Sequence, residues 1–184
     1  MPIRLPLPGT HNVRNALAAA TCAYAVGASA QQISAGLGKA QPVSGRLREL
    51  PGYRGARIID DSYNANPASA RAALEYLAGF DGVRVFVLGD MGELGADAAA
   101  LHREVGRFAR TRCDRFIAIG PLAAEAADAW GAGAQKFADL HAAAAMLRPE
   151  LDVRTTVLVK ASRAMRLERL AAALAAEIES AAPC

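Results

Sequence analysis

The chain has 184 residues, 53% of them hydrophobic and 21% charged, with 21 basic against 18 acidic side chains for a net charge of +3. This composition excludes a disordered chain, and the lack of any Lys/Arg run excludes a basic patch for nucleic acid or membrane. Cys22, Cys113 and Cys184 lie far apart, as do His11, His102 and His141, so neither a disulfide framework nor a structural zinc is expected.

No apolar run approaches the roughly 20 residues of a membrane span. Met1-Pro2-Ile3-Arg4 lacks the apolar core of a signal peptide. A cytoplasmic protein is therefore expected; a monomer is expected as well. The turn-rich opening Leu5-Pro6-Leu7-Pro8-Gly9 suits a boundary inside a longer protein.

The elements follow in chain order. Asn12 to Val26 reads as a buried helix closed by Gly27. A second helix is expected from about Ala30 to Lys39, with Ser29 and Gln32 at capping-box spacing. Pro42-Val43-Ser44-Gly45 then breaks the pattern, so residues 1–44 form one helical segment and 45–184 a separate domain.

After Gly45 come two short β-rich runs, Arg46 to Leu50 and Ala56 to Asp60, around the turn Pro51-Gly52. Val83 to Leu88, Phe116 to Ile119 and Thr155 to Val159 are largely apolar runs, broken only by Arg84 and opened by two threonines in the last, as expected of parallel strands covered on both faces. Helices are expected near Pro67 to Ala78, Asp97 to Thr111, Leu122 to Trp130, Asp139 to Leu147 and Arg163 to Ile178. The alternation predicts an α/β fold: a mostly parallel, Rossmann-like sheet with helices on both faces. Ligands of such sheets lie beyond the carboxyl ends of the strands.

The loops expected at those ends carry the chemistry. Asp60 to Pro67 holds two carboxylates, a phenol and two carboxamides ahead of a helix with Asn66 as N-cap and Pro67 at N1. Capping alone explains Asn66. The adjacent Asp60 and Asp61 gain nothing obvious from structure, and one of them could accept hydrogen bonds from a ribose or an amine. Lys160, Ser162 and Arg163 stand where the last strand gives way to a helix, aiming cations and free N–H groups at an anion. Asp90 and Glu93 lie in a glycine-rich loop, Gly89 to Gly95, that could approach a ligand closely. Asn12 and Asn15 share one face of the first helix, beside His11, and carboxamides can read a purine edge. Arg46 can stack on a base. His102 falls inside a helical pattern and reads as a packed or surface side chain.

Gly38-Lys39 is followed by Ala40 and preceded at the critical distance by Ile33, so the chain contains no phosphate loop. Taken together and in order, L-P-L-P-G-T-H-N-V-R-N, S-G-R, I-I-D-D-S-Y-N-A-N-P, V-L-G-D-M-G-E-L-G and L-V-K-A-S-R resemble the motifs of the Mur ligases, and within them of the type that adds D-alanyl-D-alanine.

The resemblance implies the end of an ATPase domain followed by a carboxyl-terminal dinucleotide-fold domain. It implies ATP and Mg2+ as cofactors, with the magnesium ligands largely outside this chain. UDP-N-acetylmuramoyl-tripeptide and D-alanyl-D-alanine are the implied substrates. His11, Asn12, Asn15, Arg46 and Asp61 are implied on the adenosine side. Ser62, Tyr63, Asn64, Asn66, Asp90, Glu93 and Ser162 are implied toward the substrates or phosphates, and Lys160 and Arg163 at the developing negative charge. Ala161 stands where relatives of this type commonly carry glycine. Alone, the chain is expected to fold and to turn nothing over. A free-standing nucleotide- or peptide-binding module is the alternative.

Overall fold

The structure, a computed structural model, describes residues 2–41 and 43–176. The chain divides into two compact units, with the break between Val43 and Ser44.

The first unit contains two helices, α1 (Thr10–Ala25) and α2 (Ala30–Gly38). Gly27 follows α1 with a φ of 91°, and Ser29 opens α2 through a complete capping box with Gln32. The expectation that α1 is buried needs correcting. No described residue of this unit is buried, and Val13, Leu17, Tyr24 and Val26 are each more than half exposed. An apolar helix reads as buried in sequence, but burial requires a facing surface, and two short helices supply too little of one.

The second unit is a six-stranded sheet in the order β1-β2-β6-β3-β4-β5. Its strands are β1 (Arg48–Pro51), β2 (Arg57–Asp61), β3 (Val83–Gly89), β4 (Arg115–Ile119), β5 (Gln135–Phe137) and β6 (Thr155–Lys160). Only β1 runs antiparallel. Side chains alternate between two cores, as the period of two demands. Ile59, Phe86, Leu88, Phe116, Ala118 and Leu158 meet α3 (Pro67–Ala78), α4 (Ala98–Ala109) and α5 (Pro121–Trp130) on one face. Ile58, Val85, Val87, Ile117, Val157 and Val159 meet α6 (Leu140–Leu147) and α7 (Glu168–Leu174) on the other.

Two departures from the sequence pattern have local causes. β5 carries no strand signal in the sequence, because Gln-Lys-Phe at a sheet edge needs no continuous apolar run. The helix expected from Arg163 to Ile178 is instead a 3-10 turn over Arg163–Met165, a left-handed Arg166 (φ 51°) and then α7, while residues 177 and 178 lie outside the described residues. The break turns Leu167, Leu170, Ala171 and Leu174 toward the sheet, where all four are buried.

Because β2, β6, β3 and β4 are parallel, Asp61, Lys160, Gly89 and Ile119 end on one edge of the sheet. The loops that follow them share that edge.

Candidate functional site

Asp60 and Asp61 are neighbours in sequence but face opposite ways from β2. Asp60 is 4% exposed, and its Oδ1 accepts both the N–H of Ser62, at 3.2 Å, and the Ser62 hydroxyl, at 2.5 Å. Ser62 is fully buried, so its side chain braces Asp60 and presents nothing to the surface. Asp61 stands opposite Lys160 in the β2–β6 register. In parallel strands, paired residues point to the same side, and Lys160 Nζ donates to Asp61 Oδ2 at 2.7 Å. The same ammonium donates to the carbonyl of Asn64 at 2.8 Å and of Asp61 at 3.4 Å. Asp61 Oδ1 accepts the N–H of Leu47, a buried residue in the left-handed region (φ 50°). The adjacent acids therefore have structural partners that their spacing alone did not disclose: a buried charge must be paired and hydrogen-bonded, and these are.

Beyond this clamp the loop turns outward. Tyr63 is 43% exposed, while its N–H donates to the carbonyl of Gly45 at 3.0 Å. The guanidinium of Arg46 lies 4.7 Å from the centre of the Tyr63 ring and that of Arg163 5.9 Å from it. Arg163 is open to solvent and is 3.4 Å from Glu168. Asn64 is exposed, with its Oδ1 accepting the N–H of Ala65. Asn66 is exposed too, but its side chain forms a reciprocal cap with Ser69 at the start of α3, the ordinary role for Asn at that position.

The loop after β3 is anchored at its start. Asp90 Oδ1 accepts the N–H of Ala123 in α5, and the Asp90 carbonyl accepts the N–H of Ser162. Met91 donates its N–H to Nε2 of the fully buried His102, whose Nδ1 donates to the carbonyl of Ala98. That pairing assigns the ring proton to Nδ1. His102 is thus a packed histidine that holds the loop. Glu93 is exposed at a positive φ of 61°, and Ser162, 8% exposed, faces Gly92. Ala161 packs its methyl into the core beside Val159 and Leu167.

In the first unit, His11, Asn12 and Asn15 lie on the first turns of α1. Asn15 donates to Asn12 Oδ1 at 3.4 Å, and Asn12 donates to the carbonyl of Pro8.

The grouping of Arg46, Tyr63 and Arg163 had no signal in sequence spacing, since the three come from the start of the unit, the β2 loop and the β6 loop. Glu168 was missed altogether, because a carboxylate opening a helix looks like ordinary dipole compensation. Among the described residues, no group of three or more His, Cys, Asp or Glu side chains is arranged to hold a metal ion. No helix there is long and apolar enough to cross a membrane.

The sheet order, the helices on both faces and the loops gathered at one carboxyl edge define an α/β domain of the dinucleotide-binding type. The chain belongs to the Mur ligase family: the family described as Mur ligase, glutamate ligase domain, matches residues 45–163. It is 41% identical over 175 residues to the UDP-N-acetylmuramoyl-tripeptide--D-alanyl-D-alanine ligase of Escherichia coli (strain K12), a match covering 94% of this chain and 38% of that protein. Crystal structure I of MurF from Acinetobacter baumannii superposes with a TM-score of 0.84 at 37% identity, covering 94% of this chain and 39% of that one. The Thermotoga maritima MurF ligase, crystallised in complex with ADP, superposes at 0.79 with 26% identity, covering 91% of this chain and 38% of its own. The chain thus spans about two fifths of the length of these relatives.

Proposed function

We propose that the chain forms the carboxyl-terminal part of an ATP-dependent ligase that joins D-alanyl-D-alanine to UDP-N-acetylmuramoyl-tripeptide. The observation that carries this reading is the strand edge where Arg46, Tyr63 and Arg163 gather around the Lys160–Asp61 clamp. The names of the relatives and the ADP bound to one of them support it.

The tripeptide carboxylate takes the terminal phosphoryl group of ATP, releasing ADP, and the dipeptide amine then attacks the acyl phosphate carbon, expelling phosphate and losing a proton as the amide forms. Both steps gather negative charge, and a cation aimed where charge develops lowers the barrier most. Arg163 takes that role or holds the dipeptide carboxylate, a reading supported by its exposure and its long 3.4 Å contact with Glu168. Asp61 holds the ribose, with Arg46 beside the base. Tyr63, Asn64 and the Glu93 loop border the dipeptide. The described residues offer no cluster that fits Mg2+, so no step is assigned to it. With no phosphate loop, the chain by itself is expected to turn over neither ATP nor substrate.

The test is ligation by the full-length polypeptide that carries this chain, followed as dipeptide incorporation with ATP, tripeptide precursor and D-alanyl-D-alanine. Asp61→Asn is expected to weaken nucleotide binding, and Arg163→Ala to raise the dipeptide KM or lower kcat by about tenfold or more. Nucleotide or peptide binding without product would instead favour a binding module.

A further inference from the structure

We propose that Lys160 is a positioning residue, whose buried ammonium sets the Asp61–Asn64 turn for the ligand without touching the reacting groups. The proposal rests on the ligase reading above. Lys160 is 2% exposed at the end of β6, between β2 and β3. An ammonium has three donors, and here Asp61 Oδ2, the Asn64 carbonyl and the Asp61 carbonyl receive them. Gripping a phosphate or an oxyanion would require the side chain to let go of a largely buried carboxylate.

A buried ion pair is a poor source of stability compared with apolar side chains of the same size, but it can impose one geometry. The geometry imposed here is specific. Lys160 draws Asp61 and Asn64 toward one point, Asp61 holds Leu47, and Tyr63 is turned outward between Arg46 and Arg163. The exposed cations are Arg46 and Arg163, and the buried one shapes the platform beside them.

The experiment compares Lys160→Met, Asp61→Asn and the double variant in the full-length polypeptide. Lys160→Met is expected to raise the nucleotide Kd and the dipeptide KM by about tenfold or more, with kcat at saturation within about tenfold of wild type. The double variant is expected to fall no further than Asp61→Asn, because both residues act through one contact. If Lys160→Met fails to fold, the double variant, which leaves no unpaired charge, carries the comparison with Asp61→Asn. A loss of kcat of about a thousandfold with Kd and KM unmoved would overturn the proposal, since it would put the cation in the transition state. A lowered melting temperature with Kd and KM unmoved would overturn it too. In the ligand-free 184-residue chain, Lys160→Met is expected to shift the amide resonances of Leu47, Tyr63 and Asn64 more than those of the remaining strand ends. Unmoved amides would rule out the clamp even if the polypeptide ligates, whereas a wild type without turnover would sink the ligase reading and leave this spectral comparison standing.

Discussion

Asp90 Oδ1 accepts the N–H of Ala123 at 2.7 Å, so a carboxylate at the end of β3 caps the helix that follows β4. The residue at the helix's own N-cap position, Gly120, has no side chain to offer. Its φ is 109°, and a Cβ there would lie 2.6 Å from the Asp90 carboxylate. Glycine is needed at 120 both for that backbone and to admit the cap from the neighbouring strand.

Asp90→Ala is therefore expected to destabilise the chain by about 1–2 kcal/mol, the range for loss of a helix N-cap. Asp90→Asn keeps an acceptor and should cost less. Urea unfolding of the three proteins, compared at constant m-value, checks both the sign and the order.

Gly89 and Ala161 are a matched pair. A Cβ on Gly89 would stand 2.7 Å from the Ala161 methyl and 2.9 Å from Leu167 Cδ1. Gly89→Ala is expected to cost about 1–3 kcal/mol through overpacking. Adding Ala161→Gly should recover part of that loss, since Leu167 remains in the way. A double-mutant cycle on melting temperature measures the coupling, and strict additivity would contradict the contact.

Arg84 donates its backbone N–H, Nε and Nη2 to the Asp114 carboxylate, and those hydrogen bonds hold the Asp114 carboxyl below the ordinary carboxylate range. A carboxyl depressed on folding adds stability above its unfolded pKa, and that stability is lost as pH falls through the folded value. Asp114 is 42% exposed, so solvent screening reduces the pair to roughly 0.5–1 kcal/mol. The stability gap between wild type and Asp114→Asn should be present at neutral pH and close in acid below the usual Asp range. It should also shrink in high salt. Denaturant midpoints across pH and salt test this.

Burial pushes the Cys113 thiol up to about 12, whereas Cys22 is exposed. The thiolate is the reactive form. In a chain carrying Cys22→Ser and Cys184→Ser, Cys113 is expected to resist an aromatic disulfide reagent at pH 8 and to react fully in denaturant. Rapid labelling of the folded protein would contradict its packing beside α4.

Much of the fold was legible because its signals are local. Val85 to Leu88 and Val157 to Val159 are apolar without interruption, as strands covered on both faces are. Asn66-Pro67 announced α3, whose bounds Pro67–Ala78 agree with the expected ones. β5 was not legible, because three residues at an edge leave no pattern. Nor was the break at Arg166, since a left-handed arginine is selected by the packing of α7 and not by its own propensity.

For the candidate site, the sequence by itself determined which residue types stand at the ends of the strands: the Asp60–Asn66 run, Lys160, Arg163 and the Gly89–Gly95 loop. The order of those residues along the chain also determined the resemblance to a family. Tertiary structure alone decided which of them face the open carboxyl edge of the sheet. Ser62 turned inward to Asp60, and Asp90 went to the start of α5. Lys160 went to Asp61 because β6 inserts beside β2, bringing together residues 99 apart in the chain. The physical reason is that a side chain's role depends on its burial and its partners, and strand order sets both across separations that no local pattern encodes.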